Sequence, residues 1–211
     1  MPLEIVTFVI GAFQNNTYLV ADTQTGSAVV IDPSFDSEVV LDRALEKKWQ
    51  IKEIWLTHAH FDHFSGASVV AAASQPPLPG RLHADDMDLW RSGGSAKNFG
   101  IEFNPGPEPT LLFTHGQMLS IGSLPVKVRH TPGHTRGHVI LYLASAKALF
   151  CGDVIFQGSI GRTDLPDASY ETLLTSIYSQ VLTLPDDTRL VSGHGPETTV
   201  GIERESNPFL T

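Results

Sequence analysis

Between Thr57 and Phe64 the chain reads His58-Ala59-His60-Phe61-Asp62-His63, four metal-donor side chains within six positions. A hydrophobic core has no use for so dense a run of imidazole and carboxylate, but a divalent cation does. Nitrogen and oxygen donors of this kind suit zinc, iron or manganese. His58 and His60 are two residues apart, so on an extended segment their side chains leave the same face. Asp62 and His63 follow where the chain is expected to turn into a helix, which would bring them round to the same cavity. One short loop cannot enclose an ion, so further donors must come from afar. His134 lies in Thr131-Pro132-Gly133-His134-Thr135, Asp153 in Cys151-Gly152-Asp153, and His194 in Gly193-His194-Gly195-Pro196. Each sits at the predicted end of a strand, where functional side chains collect on a rigid frame.

The donors divide naturally between two ions. His58, His60 and His134 make one set, and Asp62, His63 and His194 make another. Asp153 can bridge with its two oxygens, leaving room for a shared water or hydroxide. Two ions about 3.5–4 Å apart lower the pKa of such a water and clamp the attacking and leaving atoms of a hydrolysis. His83, His115, His130 and His138 lack this company and read as ordinary surface or core histidines. Cys151 reads as a small buried apolar residue.

The elements that must position these donors follow from the pattern of apolar residues. Strands are expected at Leu3–Phe13, Thr17–Ala21, Ser27–Ile31 and Ile51–Leu56, the last delivering His58. A helix capped by Asp36 or Ser37 would face the core with Val40, Leu41, Ala44 and Leu45. Ser65–Ser74 is expected as a helix behind the site, and Asp85–Trp90 as a short one. The run 92–109, rich in Gly, Pro, Ser and Asn, reads as an irregular wall of a substrate cleft. Strands at Gly116–Ile121, Pro125–His130, Val139–Leu143 and Ala148–Phe150 precede an amphipathic helix, Tyr170–Leu182. Arg189–Val191 is a last strand before His194. Strands then helix, twice, suggests two mixed sheets packed face to face with helices outside. Because donors come from both halves, one domain over residues 1–211 is expected rather than two.

Composition narrows the function. The 211 residues are 41% hydrophobic and 18% charged, with a formal charge of -9. An acidic chain without a basic run argues against a nucleic-acid or membrane-surface partner. A single cysteine excludes an internal disulfide and fits a reducing compartment. No signal peptide or membrane span is read, so a cytoplasmic protein is expected, as a monomer or small homo-oligomer.

The order His58-x-His60-x-Asp62-His63, His134, Asp153, His194 resembles the metallo-β-lactamase-fold superfamily. Thr131–Thr135, Gly152-Asp153-Val154-Ile155-Phe156 and Gly193–Pro196 are similar to its glyoxalase II-like branch. Gly161-Arg162-Thr163-Asp164-Leu165-Pro166 and Glu203–Leu210 resemble the short single-domain type II glyoxalases. The resemblance covers essentially the whole chain. It implies an α+β, four-layer αββα sandwich with a dinuclear site in a cleft at the sheet edge. The ions would be two divalent metals, zinc in the first place and iron or manganese otherwise. It also implies a substrate, a small-molecule thioester of the glutathione-conjugate type, with S-D-lactoylglutathione hydrolysed to D-lactate and glutathione. Full-length glyoxalase II enzymes carry a further helical domain with basic residues that hold glutathione; this sequence ends at Thr211 before it.

The expected chemistry is attack of a metal-bridging hydroxide on the thioester carbon, with Asp153 bridging and Asp62 binding metal and orienting the hydroxide. Arg162 is the candidate contact for a substrate carboxylate. On the same scaffold a persulfide dioxygenase would use one iron on His58, His134 and Asp153. The intact second donor set favours hydrolysis, of this or another small thioester or lactone. Nuclease or phosphodiesterase chemistry is disfavoured by the net charge. A non-catalytic metal-binding module would be expected to have lost a donor, and none is missing.

Overall fold

The computed structural model describes residues 2–210. The chain opens with β1 (Leu3–Ile10), β2 (Asn15–Asp22), β3 (Ser27–Ile31) and α1 (Glu38–Lys47). It continues through β4 (Gln50–Trp55), α2 (Ala67–Ala71), β5 (Gly80–His83), α3 (Met87–Arg91) and β6 (Leu111–Phe113). These six strands form one sheet in sequence order, antiparallel from β1 to β3 and parallel from β3 to β6. The second half runs β7 (Met118–Ile121), β8 (Leu124–His130), β9 (Val139–Leu143), β10 (Ala148–Gly152), β11 (Ile155–Phe156), β12 (Ser159–Ile160), α4 (Tyr170–Ser176), β13 (Arg189–Ser192), β14 (Thr198–Thr199) and α5 (Val200–Ser206). Its sheet has the order β14-β13-β10-β9-β8-β7, and β11 and β12 form a separate hairpin.

Strand alternation builds the layers. Tyr18, Val20, Val29, Ile31 and Trp55 of the first sheet meet Val128, Leu141, Leu143, Phe150 and Val191 of the second. Their sequence neighbours Leu19, Ala21, Ala28, Val30 and Ile54 point the other way, onto Val40, Ala44, Val70 and Trp90 of the helices. On the far side Ile140, Leu149, Cys151 and Leu190 pack against Leu173, Ile177, Val181 and Val200. Both sheets are therefore buried on two faces, and the expected αββα arrangement is what the chain adopts. Cys151 is fully buried, and that burial pushes its thiol well above the ordinary range.

Local details differ from the sequence reading. β1 stops at Ile10 because Gly11 turns the chain at φ 72°, and Phe13 goes to the hairpin tip instead of the strand. The expected helix at Ser65–Ser74 is only Ala67–Ala71, preceded by a 3-10 turn over Phe61–His63. That tighter turn puts Phe61 and Phe64 on one side, three residues apart, and both are buried in the core. Leu45 is 79% exposed, since the stripe set by Val40 and Ala44 passes it by. Strands β5 and β6 went unread. They are short, and β5 hides Arg81, whose charge is met by Glu53 at 3.0 and 3.1 Å. The expected Tyr170–Leu182 helix runs as α4 and continues into a wider π-type turn over Ile177–Val181. Among the described residues no helix is long and apolar enough to cross a membrane.

Candidate metal centre

Every donor loop is tied down by groups outside the donor set. β4 ends at Trp55, and Thr57 is then caught by the Asp32 carboxylate, which accepts its amide at 2.7 Å and its hydroxyl at 2.7 Å. The same carboxylate lies 3.1 Å from His63 Nδ1. Asp86, 1% exposed, does the equivalent work between the two halves. It accepts the Ala59 amide at 3.0 Å, the Thr135 hydroxyl at 2.8 Å and the Gly137 amide at 2.6 Å. The loop carrying His58 and His60 and the loop carrying His134 are thus held by one buried carboxylate, whose pKa is raised by burial. Gly133, at φ 136°, permits the His134 turn against α4: a Cβ there would fall 2.3 Å from the Leu173 nitrogen.

The ring nitrogens of His58, His63, His134 and His194 that face away from the cluster are engaged. His134 Nδ1 is 2.9 Å from the Arg162 carbonyl, and His194 Nδ1 is 3.1 Å from the Phe13 carbonyl. Carbonyls only accept, so these nitrogens donate, and each Nε2 faces inward. The Thr57 hydroxyl donates to Asp32 and so accepts from His58 Nδ1, 3.1 Å away. His60 is reversed: its Nδ1 faces inward, 2.9 Å from His134 Nε2. These outer contacts fix tautomer and ring orientation, as metal-binding histidines require.

The structure brings all seven predicted donors together. His58, His60 and His134 offer atoms within 4.8 Å of one another, as do Asp62, His63 and His194, and His58 and His63 with Asp153. Asp153 Oδ1 lies 3.4 Å from His63 Nε2, and its Oδ2 lies 3.6 Å from His134 Nε2. Asp62 Oδ2 is 3.2 Å from His194 Nε2. Donors about 2.0–2.2 Å from a shared tetrahedral ion stand roughly 3.4 Å apart, so these spacings fit. Three of the inward atoms, His58 Nε2, His63 Nε2 and Asp153 Oδ1, are buried without a hydrogen-bond partner. Buried polar atoms are seldom left so, and cations held by the two donor sets would satisfy them.

Electrostatics agree with a cation site. Burial, then the neighbouring imidazoles, hold His58 well below its ordinary pKa, and burial with His134 lowers His60 to about 3. Burial opposes both Asp153 and Asp62, but His63 holds each carboxyl below the usual range. His63 in turn is raised against its burial by Asp153 and Asp62. Three neutral imidazoles and two carboxylates are a donor set for divalent metal, and binding would release the His63 proton.

His60, Asp62, His134, Asp153 and His194 line a cavity of about 330 Å³ together with Phe13, Phe61, Phe99, Leu165 and Arg162. The rings of Phe13, Phe61 and Phe99 touch edge-on or tilted at 5.1–5.5 Å. Phe99 comes from the 92–109 run, which does form a wall of this cavity. Arg162 pairs with Asp164 through Nε at 2.8 Å and Nη2 at 2.7 Å. Of the remaining histidines, His115 is exposed, and His83 and His130 stack at 4.2 Å with planes 11° apart. Parallel planes cannot aim both lone pairs at one ion, although Asp85 stands close by. His138 is different, being fully buried beside the donors. Sequence reasoning missed Asp32, Asp86 and His138. The only signals were an Asp-Pro pair at a strand end, an acidic helix cap, and a histidine four residues after His134.

Comparisons with known proteins agree with this geometry. The profile of the Metallo-beta-lactamase superfamily matches residues 10–194. The chain is 36% identical to hydroxyacylglutathione hydrolase GloC of Haemophilus influenzae, over 100% of this chain and 98% of that protein. It superposes on the BLEG-1 B3 metallo-beta-lactamase with a TM-score of 0.92 and 36% identity, covering 99% of this chain and 100% of that one. It superposes on TTHA1623 in a di-iron-bound form with a TM-score of 0.86 and 36% identity, covering 98% and 100%.

Proposed function

The chain belongs to the metallo-β-lactamase superfamily and is a metallo-hydrolase, and from that premise we propose that it hydrolyses small thioesters at a dinuclear centre, S-D-lactoylglutathione first among them. The whole chain acts in this reading as one domain. His58, His60 and His134 would hold one ion and Asp62, His63 and His194 the other, with Asp153 placed to serve both. Zinc is the first choice; the di-iron form of a similar structure keeps iron in contention. Bound divalent ions would supply an acidified water and a polarised acyl oxygen at this donor set.

The chain's own residues do the rest. Asp62, held ionised, accepts a hydrogen bond from the attacking water and turns its lone pair toward the acyl carbon. The phenyl wall packs against the acyl group and keeps bulk water from the cleft. Water adds to the carbonyl carbon, the carbon–sulfur bond breaks, and the thiol departs carrying the proton that the water gave up. Arg162 is placed to meet a substrate carboxylate: its pair with Asp164 uses Nε and Nη2, and Nη1 makes no hydrogen bond among the described residues.

The observation that carries this reading is the complete second donor set, Asp62, His63 and His194, beside the first. A one-iron dioxygenase has no need of it. The test is metal analysis of the purified protein beside assays on S-D-lactoylglutathione and unrelated thioesters. Two ions per chain with thioester cleavage is the expected result; one iron with oxygen consumption on a persulfide would overturn it. Replacing Arg162 with Ala is expected to raise KM about tenfold or more at near-constant kcat, with metal content unchanged. Unaltered kinetics would remove Arg162 from the substrate site.

A further inference from the structure

His138 touches the donor cluster without joining it. Both of its ring nitrogens are engaged: Nδ1 lies 3.3 Å from the Thr131 hydroxyl, and Nε2 lies 3.0 Å from the Asp153 amide nitrogen. An amide only donates, so Nε2 carries the lone pair and Nδ1 the proton. The ring also stacks on His58, with centroids 4.8 Å apart and planes 21° apart.

The backbone of β10 explains why a side-chain acceptor is needed there. β10 pairs in parallel with β13, but the register slips between Phe150 and Gly152. Gly152 then takes φ 46°, leaving its regular extended path. The slip leaves the Asp153 amide outside the ladder, in a part-buried place where an unpaired donor is costly. A Cβ on residue 152 would fall 2.7 Å from His138 Nε2 and 2.4 Å from the Thr57 hydroxyl, so the close approach depends on glycine.

We propose that His138 is a positioning residue: by accepting the Asp153 amide it fixes the 152–153 peptide and so aims the Asp153 carboxylate between His63 and His134. The inference rests on the reading of Asp153 as the shared ligand. It assigns to His138 a task that its volume alone could not perform. A side chain of similar bulk without an acceptor would fill the space yet leave the peptide free to turn.

Three full-length variants separate the two roles. His138→Gln can present a carbonyl oxygen near the position of Nε2. His138→Asn is shorter, reaching only as far as Nδ1 does, and His138→Leu fills space with no acceptor. Each is checked for fold by circular dichroism, then titrated with Zn²⁺ against a chelator, and its cobalt-loaded absorption spectrum is recorded. His138→Gln is expected to stay within about threefold of the parent in Zn²⁺ affinity. His138→Asn and His138→Leu are expected to lose about 10–100-fold, with a changed cobalt spectrum. A Gln variant as impaired as the Leu variant, or a Leu variant as tight as the parent, overturns the proposal.

Should the weaker variants fail to fold, nitrogen NMR of the unsubstituted, metal-free protein decides the matter. Nε2 of His138 is expected to be unprotonated and hydrogen-bonded to the Asp153 amide; a proton on Nε2 refutes the assignment. Fewer than two Zn²⁺ per chain in the parent protein would instead count against the dinuclear reading.

Discussion

Asp32 shows how much of the candidate centre depends on groups that never face the cleft. Its carboxylate accepts from the Thr57 amide, the Thr57 hydroxyl and His63 Nδ1. Asparagine in its place would keep one acceptor oxygen and set an NH₂ group against donors. Asp32→Asn is therefore expected to weaken metal affinity about 10–100-fold. It should also destabilise the metal-free fold by about 1–3 kcal/mol. Chelator competition and urea unfolding measure the two effects separately, and a variant unchanged in both would show that the loop holds itself. The seven donors were legible because their types and spacing have no apolar explanation. Asp32 was not, because the contact crosses 25 residues and Asp32-Pro33 alone looks like a turn. Asp86 likewise reads locally as one acidic residue at the start of a short helix, and its bond to Gly137 spans 51 residues.

At the scale of elements, one junction sets the donor geometry and a second ties the two sheets together. The turn that presents His134 lies against the start of α4, where Gly133 leaves no room for a side chain. Gly133→Ala would bring its Cβ onto the backbone of Leu173, and neither partner can yield cheaply. A loss of about 3 kcal/mol or more is expected in chemical unfolding, together with reduced metal binding from a displaced His134. The other junction joins the sheets at the far edge. The Asp22 carboxylate accepts the Gln24 and Thr25 amides near its own strand, and the amide and hydroxyl of Ser123 in the β7–β8 turn. The Ser123 bonds, amide then hydroxyl, hold its pKa far below the carboxylate norm. A depressed folded-state pKa means the stabilisation is full above the unfolded value of about 3.9 and fades as pH falls below it. Asp22→Asn should therefore lower stability at neutral pH and flatten the decline between about pH 4 and pH 2. Parallel acid-unfolding curves for the two proteins would exclude this clamp. Long strands and α4 were readable from periodicity, whereas β5 and β6 were not. Four and three residues are too few to display a pattern, and Arg81 is tolerated in β5 because Glu53 on the adjacent strand and the Leu112 carbonyl meet it.

For the whole molecule, the donors come from loops of both sheets, so the centre exists only when the two halves are packed together. An ion bound there favours the folded chain alone. At a metal concentration about a hundredfold above the dissociation constant the gain is about 2.7 kcal/mol. For a chain of this length that shifts Tm by roughly 5–10 °C. Calorimetry before and after exhaustive chelation is expected to show that drop, reversed by adding metal back. An unchanged Tm would mean that the donors do not grip an ion in the folded state.

Local sequence determined what the chain could do: donor types at alternating and turn-adjacent positions, and apolar runs long enough to build two doubly buried sheets. These are properties of neighbours, set by side-chain chemistry and by the periods of strand and helix. Only the tertiary structure decided which lone pairs point inward, which carboxylates hold the loops, and that a buried histidine outside the donor set meets the Asp153 amide. Those choices depend on contacts between segments far apart in the chain, and such contacts leave no periodic trace in the sequence because packing, not spacing, brings them together.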